Sequence, residues 1–262
     1  MRPSMRVGLI GLGAIGRGVI QLLKADDDVE LVCALVGNPR KSRGPGAPPI
    51  CGSVEELLER RPEVVVEVAG HHALRCYGPR VLSAGIDLIV VSVGALANHD
   101  LEDAIRQSAK AGGSRVFVAS GAVGALDAIA SAAVCGGLSR VTHTTRKPAR
   151  ALLGPAEAAE LTEPRELFRG SARAGALRFP ESINVAAAVS LAGIGLDRTE
   201  VCVIADPSVN RNSHEVVAHG DFGDLRFEIH NIPTDANPRT GRLVAMSVVH
   251  ALRKRRATLV VG

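Results

Sequence analysis

The chain contains 262 residues and carries a formal net charge of +4; 46% of its residues are apolar and 2% are aromatic. This length suits one large domain or two modest ones with a well-buried aliphatic core. Basic residues are scattered among acids, apart from a short cluster at residues 253–256 that is typical of a solvated helix C-terminus. Because no basic stripe with interleaved aromatic residues is present, nucleic acid is excluded as a partner.

Cysteine usage and hydropathy place the chain in a reducing, aqueous compartment. The five cysteines are odd in number, widely spaced and without a C-x-x-C motif. This pattern argues against a disulfide framework and a zinc site, so we predict no metal. We see no N-terminal signal pattern and no apolar run of membrane-spanning length. We therefore expect a soluble cytoplasmic protein with no membrane partner.

The first half of the chain alternates apolar strand-like runs with helical patterns. The predicted strands are residues 6–10, 29–36, 64–68, 87–91 and 115–119, and the predicted helices are residues 17–24, 54–60 (with Ser53 as N-cap), 72–84 and 101–111. A polar loop rich in proline and glycine, residues 37–49, follows the second strand. This rhythm implies right-handed crossovers and a parallel sheet. The fold class predicted for this half is α/β, a Rossmann-type doubly wound sheet.

The second half predicts a second α/β domain with a different rhythm. The predicted helices are residues 121–134, 151–179 (with breakers at Pro155 and Pro164), 183–192 and 237–253; the predicted strands are residues 139–146, 199–205, 216–219 and 225–230, the last two forming a hairpin. We place the domain boundary near residue 120. Residues 1–120 would bind a dinucleotide and residues 121–236 would bind substrate, while a C-terminal helix at about 237–262 would pack back on the first domain.

A glycine turn follows the first strand and opens the first helix. Gly11 permits the tight turn, Gly13 lets the backbone approach a pyrophosphate, and Gly16 lets the helix pack close to the strand. Ala14 and Ile15 lie at the helix N-terminus, where free N–H groups and a partial positive charge face the phosphates. Since the motif stands between a strand and a helix at the start of the chain, we interpret it as a nucleotide-binding turn.

The end of the second strand lacks the acidic residue that binds the ribose hydroxyls of NAD. Asn38 could hydrogen-bond a ribose, and Arg40 or Arg43 could pair with a 2′-phosphate. Loop charges facing water explain the same residues equally well. We therefore predict that the cofactor is NAD or NADP.

Three more segments occupy positions where ligands bind in open α/β sheets. Gly70 follows the third main strand, and Ser92 and Val93 follow the fourth, so they are expected to line the cofactor. The glycines at both strand ends could instead serve only tight turns, and His71 and His72 are most simply loop histidines. The segment at residues 120–125 could contact a nicotinamide carboxamide or act as a hinge.

Residues 206–215 form the densest polar segment of the second half. His214 lies there beside Asn212 and other polar side chains, and an imidazole that titrates near neutrality can transfer protons. We therefore choose His214 as the catalytic candidate over its rivals, which are His143, His219, His230 and His250.

Arg146 and Lys147 are adjacent cations that close the predicted strand at residues 139–146. Together they could clamp a dicarboxylate. An exposed strand end rich in basic residues is an equally ordinary explanation.

The chain resembles the L-aspartate dehydrogenases, in order and over almost its whole length. The segments that carry the resemblance are residues 8–16, 90–96, 120–127, 146–148, 184–188 and 206–215. The resemblance implies NAD(P)-dependent oxidative deamination of L-aspartate through iminoaspartate to oxaloacetate and ammonia, reversibly, with a link to NAD biosynthesis. It also implies that His214 is the active-site residue and that Ala122 and Asn184 contact the cofactor. The expected architecture is a Rossmann domain plus an α/β domain with an open mixed sheet that forms a homodimer.

Two alternative functions remain at this point. Another amino-acid-pathway oxidoreductase, similar to homoserine dehydrogenase or dihydrodipicolinate reductase, would share the layout. A non-catalytic NAD(P)-sensing protein would keep the dinucleotide fold without the chemistry, because fold alone does not fix function. The polar segment around His214 favours an enzyme.

Overall fold

The computed structural model describes residues 3–41, 46–134, 136–180, 183–235 and 237–261. The chain forms two compact units. The first unit consists of Met1–Gly121 and Val244–Gly262, and the second unit consists of Ala122–Leu243.

The first unit is built on a six-stranded parallel sheet. Its strands are β1 (Met5–Ile10), β2 (Val29–Leu35), β3 (Ile50–Cys51), β4 (Val64–Glu67), β5 (Asp87–Val90) and β6 (Val116–Val118), in the order β3-β2-β1-β4-β5-β6. The order reverses its direction between β1 and β4, so the sheet is doubly wound, as predicted. Ligands bind in such sheets at the carboxyl ends of the strands, next to this reversal.

The helices of the first unit connect these strands. They are α1 (Ala14–Leu23), α2 (Val54–Glu59), α3 (His71–Ser83) and α4 (His99–Gly112), with a 3-10 turn at Val93–Ala97. The Ser53 hydroxyl accepts the N–H of Glu56 at 3.2 Å, which confirms the predicted N-cap of α2. Strand β3 and the 3-10 turn were not predicted, because segments so short carry no periodic signal.

The second unit contains a five-stranded mixed sheet. Its strands are β7 (Leu138–Pro148), β8 (Arg165–Ser171), β9 (Glu200–Asp206), β10 (Ser213–Gly220) and β11 (Gly223–His230), in the order β11-β10-β7-β9-β8. Strands β7 and β9 are parallel, whereas the other neighbours are antiparallel. A small ribbon pairs β12 (Pro233–Thr234) with β13 (Asn237–Gly241).

Short helices accompany this sheet. They are α5 (Leu126–Val134), α6 (Ala149–Leu152), α7 (Pro155–Glu160), α8 (Ala172–Arg178) and α9 (Asn184–Ala192). Helix α9 packs against α5, α8 and β7, and its residues from Val185 to Ser190 are buried. Its alanines allow this close approach on several sides, since a helix that is apolar all round belongs in a core.

Three element predictions for the second half are wrong. The predicted helix at residues 151–179 contains strand β8, because that segment pairs with β9 and its Arg169 forms an ion pair with Glu200 at 2.8 Å. Tertiary pairing thus overrides the local pattern. The predicted helix at residues 121–134 begins only at Leu126, after a turn in which Ala125 has a φ of +62°. The predicted helix at residues 237–253 begins with strand β13.

The last helix, α10 (Leu243–Lys254), belongs to the first unit from Val244 onward. It approaches α1 so closely that a Cβ at Gly18 would lie 2.9 Å from the Cβ of Ala245. Arg253 also forms an ion pair with Asp26 at 2.7 Å. Across the described ranges, we find no helix whose length and apolar character would let it span a membrane.

Candidate functional site

The glycine turn of the first unit has the geometry that its sequence predicts. Gly11 adopts a φ of +104°, and a Cβ there would lie 2.8 Å from the Cβ of Ala69. A Cβ on Gly16 would collide with the carbonyl oxygen of Gly11, so strand and helix backbones are in contact. A Cβ on Gly13 would meet no atom of the described chain within 4 Å. Ala14 and Ile15 begin α1 directly after this open position, where the first N–H groups of a helix have no partner inside the helix.

A cleft of about 780 Å³ opens beside this turn. Its lining joins Gly11 to Asn38 and Lys41, which follow β2. None of the described residues that line it is an aspartate or a glutamate. Arg40 is not part of the lining; its backbone N–H donates to Asn38 Oδ1 at 3.1 Å. Arg43 lies outside the described residues.

A buried carboxyl group, which sequence reasoning missed, joins two of the predicted cofactor segments. Glu67 Oε1 accepts the N–H of Ala69 at 2.8 Å, the N–H of Gly70 at 2.9 Å and the hydroxyl of Ser92 at 2.9 Å. Its Oε2 accepts the N–H of Ser92 at 3.1 Å. Burial raises the pKa of Glu67, and these four hydrogen bonds oppose the rise. Gly70 and Ser92 are thus held at one sheet edge, and the buried Val93 directly follows Ser92.

In the second unit, register brings four polar side chains to one face of the sheet. His143, Thr145 and Lys147 alternate along β7, and His214 on β10 lies directly opposite Thr145. All four are buried, at 0%, 0%, 7% and 5% exposure. His143 Nε2 lies 3.2 Å from His214 Nδ1. We call these four residues the histidine cluster.

The location of His214 differs from the sequence prediction. Strand β10 begins at Ser213, three residues before the predicted strand. His214 therefore lies inside the ladder, paired with Thr145 and Ile229, and not in a polar loop. This placement fixes its backbone more firmly than a loop would.

Burial keeps both imidazoles of the histidine cluster neutral. Burial and then the positive charge of Lys147 lower the pKa of His143 to about 3. Burial, then His143 and then Lys147 lower the pKa of His214 well below its ordinary value. A neutral imidazole has one nitrogen with a proton and one with a lone pair, so each ring can donate at one atom and accept at the other.

The adjacent cations Arg146 and Lys147 do not converge on one ligand. Successive residues of a strand point to opposite faces. The Arg146 Nη1 donates to Asp206 Oδ2 at 2.6 Å, whereas Lys147 lies on the face of the histidine cluster. The hypothesis of a joint clamp is therefore wrong, and Lys147 is the cation on the histidine face.

Asn231 was not predicted as a site residue from the sequence, but it hydrogen-bonds to two residues that were, Ala122 and Asn212. Its Nδ2 donates to the carbonyl of Ala122 at 3.1 Å, and its backbone N–H donates to the carbonyl of Asn212 at 2.8 Å. Asn184 is the first residue of α9, in the same unit. Within the described ranges, no group of three or more His, Cys, Asp or Glu side chains is arranged to hold a metal ion.

Two family models match the chain in succession. Residues 11–119 match the NAD-binding domain of homoserine dehydrogenases, and residues 127–255 match the C-terminal domain of aspartate dehydrogenases. The L-aspartate dehydrogenase of Cupriavidus taiwanensis is 44% identical over 260 residues, which cover 96% of this chain and 97% of that protein. The L-aspartate dehydrogenase of Ruegeria pomeroyi is 43% identical over 97% of this chain and 94% of that protein.

The chain belongs to the L-aspartate dehydrogenase family. A solved aspartate dehydrogenase from Thermotoga maritima superposes with a TM-score of 0.80 at 26% identity and covers 98% of this chain and 99% of its own. A hyperthermophilic archaeal homoserine dehydrogenase in complex with NADPH has a TM-score of 0.61 at 13% identity, a likeness that concerns the fold alone. The two-domain fold predicted from the sequence is thus that of an L-aspartate dehydrogenase.

Proposed function

We propose that this chain catalyses the reversible oxidative deamination of L-aspartate with NAD or NADP as coenzyme. L-aspartate, water and the oxidised coenzyme would give oxaloacetate, ammonium, the reduced coenzyme and a proton, through iminoaspartate. The observation that carries the proposal is the histidine cluster, a buried set of neutral imidazoles with one lysine, in a chain that aligns over almost its full length with L-aspartate dehydrogenases. Iminoaspartate also provides the proposed link to NAD biosynthesis.

The first unit supports the coenzyme assignment. Gly13 leaves the room that a pyrophosphate needs, and the N-terminus of α1 supplies N–H donors and a partial positive charge. Gly11, Ala14, Ile15 and Gly16 complete this turn. We propose that Gly70 and Ser92, held through Glu67, line the same ligand together with Val93. Ala122 and Asn184 are proposed as coenzyme contacts because the resemblance to the family implies them. The coenzyme, when bound, supplies the acceptor for the hydrogen on aspartate Cα.

Coenzyme choice would depend on the chain that follows β2. A carboxylate there would hydrogen-bond the ribose hydroxyls of NAD and repel the 2′-phosphate of NADP. Asn38 and Lys41 line the cleft instead, and Arg40 lies beside them. We therefore propose that NADP is accepted as well as NAD.

His214 would act as the proton carrier of the reaction. The substrate ammonium must lose a proton before hydrogen leaves Cα, and a water must lose one when it adds to the imine carbon. A neutral imidazole can take these protons at a nitrogen that bears a lone pair. Since burial and Lys147 already favour the neutral form of His214, the base would be ready at neutral pH.

Lys147 would neutralise a carboxylate of aspartate. It lies on the face of the histidine cluster, and its charge acts on both imidazoles. The neighbouring Arg146 is engaged by Asp206, so it would contribute less. Asn212, just before β10, would offer an amide to the same substrate.

We further propose a homodimer in which the second unit provides the contact between copies. The support is the resemblance to the L-aspartate dehydrogenase family. Light scattering behind a sizing column measures the mass. Twice the chain mass supports this assignment, and a monomer at micromolar concentration rejects it.

A substrate panel tests the activity. Purified protein is mixed with each coenzyme and with L-aspartate, L-alanine, L-glutamate or L-homoserine, and reduced coenzyme is followed by absorbance. Coenzyme reduction with aspartate but with none of the other three amino acids supports the proposal. Reduction only with homoserine would favour an oxidoreductase similar to homoserine dehydrogenase. Coenzyme binding without reduction by any of the four would favour a non-catalytic NAD(P)-sensing protein.

A further inference from the structure

His143 is a polar side chain buried between apolar neighbours. It stands on β7 between Val201 of β9 and Val216 of β10, its direct neighbours on that face, and all three are 0% exposed. A polar ring in such a row is unfavourable unless its nitrogens are hydrogen-bonded. One nitrogen meets His214, but no described residue pairs with His143 Nδ1. A buried polar atom left in this way calls for an explanation.

The two imidazoles meet edge to edge. Their planes are inclined by 20°, and their centroids are 5.4 Å apart, while His143 Nε2 and His214 Nδ1 are separated by 3.2 Å. The centroid distance exceeds the nitrogen distance by about two ring radii, so the contact runs along the ring planes, where N–H and lone pair point. This is the geometry of a hydrogen bond and not of face-to-face stacking.

This single bond decides what the other nitrogen of His214 can do. If His214 Nδ1 donates, then His214 Nε2 bears a lone pair and can take a proton. If His214 Nδ1 accepts, then Nε2 carries the hydrogen and a neutral His214 can only donate. A neutral His214 that takes protons from the substrate needs the first arrangement.

We propose that His143 is a positioning residue for His214: its Nε2 accepts the Nδ1–H of His214 and holds that ring in the orientation and tautomer in which Nε2 is the base. The inference rests on the proposed function, because it concerns the residue that would move the protons. The partner of a catalytic histidine commonly fixes its tautomer in this way, and here a second neutral imidazole takes the place that a carboxylate often fills.

The proposal assigns a hydrogen to the unpartnered nitrogen of His143. When His143 Nε2 accepts, a neutral His143 must carry its own hydrogen on Nδ1, which is the atom without a partner. A residue present for stability alone would not leave an N–H in an apolar row. We infer that this cost is tolerated because the bond serves the reaction.

A near-isosteric pair of variants separates positioning from packing. In H143Q the amide oxygen can still accept the Nδ1–H of His214, whereas in H143M a thioether of similar length offers only a weak acceptor. We expect H143M to lower kcat for aspartate oxidation about 10- to 100-fold, and H143Q to stay within about threefold of wild type. The KM for the coenzyme should not change in either variant. H219M, on the exposed end of β10, is the matched control and should keep full turnover.

Stability is the second readout. H143M removes the unpartnered N–H of His143 but deprives His214 of its acceptor, so the two effects oppose each other, and Tm should stay within about 3 °C of wild type. A folded H143M that retains wild-type kcat would overturn the proposal. An H143Q as slow as H143M would overturn it as well.

Nitrogen-15 NMR of histidine-labelled wild-type protein reads the tautomer without any assay of turnover. We expect His214 Nδ1 to show the chemical shift of a protonated nitrogen and Nε2 that of an unprotonated one; the reverse would refute the inference even if every variant folds poorly. H214A separates the role of His214 from the role of His143. If H214A turns over aspartate normally, the role of His214 fails, whereas an inactive H214A beside a fully active H143M rejects His143 alone.

Discussion

The two units hold their candidate functional residues by different means. In the first unit, Gly11, Gly13 and Gly16 are neighbours along the chain, and the backbone of one turn creates the cradle. In the second unit, His143 and His214 are 71 residues apart and meet through the register of β7 and β10. The proposed coenzyme site thus depends on local backbone geometry, and the proposed catalytic site depends on pairing between distant strands. Substitutions in each unit test whether coenzyme binding and catalysis are separated in the same way.

The largest effect is expected from H214A. Loss of a proton carrier lowers kcat about 10²- to 10⁴-fold, while the Kd for coenzyme should be unchanged because His214 is not among the residues that we propose to contact the coenzyme. Steady-state kinetics and coenzyme titration measure the two quantities. Near-wild-type turnover by a folded variant would remove His214 from the mechanism, and loss of coenzyme affinity would break the division between the units.

A smaller effect is expected from K147M. Removing a charge that neutralises a carboxylate should raise the KM for aspartate about 10- to 100-fold. R146M is the matched control, since Arg146 points to the other face and binds Asp206. Its KM for aspartate should change much less. Equal effects of the two substitutions on KM would contradict the assignment of Lys147.

N38D should change the coenzyme and not the substrate. A carboxylate after β2 can bind ribose hydroxyls and repels a 2′-phosphate, so the ratio of kcat/KM for NADP to that for NAD should fall about tenfold. The KM for aspartate should stay constant. R40S tests the second candidate residue after β2. If the ratio of kcat/KM for NADP to that for NAD does not change in R40S, Arg40 does not pair with the 2′-phosphate.

The smallest effect concerns stability in acid. Burial would raise the pKa of Asp206, but hydrogen bonds from Ser208 and the Arg146 guanidinium outweigh it and hold that pKa below its usual value. The stabilisation is therefore present above a pH of about 4 and is lost as the pH falls through the lowered pKa. D206N should reduce the free energy of unfolding by about 1 kcal/mol at neutral pH and less in acid. Denaturant titrations of wild type and D206N at neutral pH and in acid measure this difference. An equal loss of stability at the two pH values would show that the ionised Asp206 carboxylate is not its cause.

Much of the first unit could be predicted from the sequence, because its signals are local. The strand, glycine turn and helix of residues 6–24 follow one another along the chain, and Ser53 is an N-cap residue that indicates the start of α2. Glu67 could not be found in this way, since it reads as one more residue of a buried strand. Its role depends on Ala69, Gly70 and Ser92 converging on it in the folded sheet.

The second unit was harder to predict for the same physical reason. The polar segment led to His214, but its partner is set by pairing between β7 and β10. The alternation of Val141, His143 and Thr145 on β7 showed that these side chains share one face, which was the available signal. Strand β8 was predicted as helix, because its pairing with β9 has no counterpart in the local pattern.

Transfer of hydrogen from aspartate Cα to the coenzyme is the step on which the account depends. L-aspartate deuterated at Cα is incubated with the protein and oxidised coenzyme, and the reduced coenzyme is analysed by mass spectrometry. We predict that the reduced coenzyme gains one deuterium, and that it gains none when the label is on Cβ. Reduced coenzyme without deuterium from the Cα label, or no reduction with aspartate at all, would contradict the account.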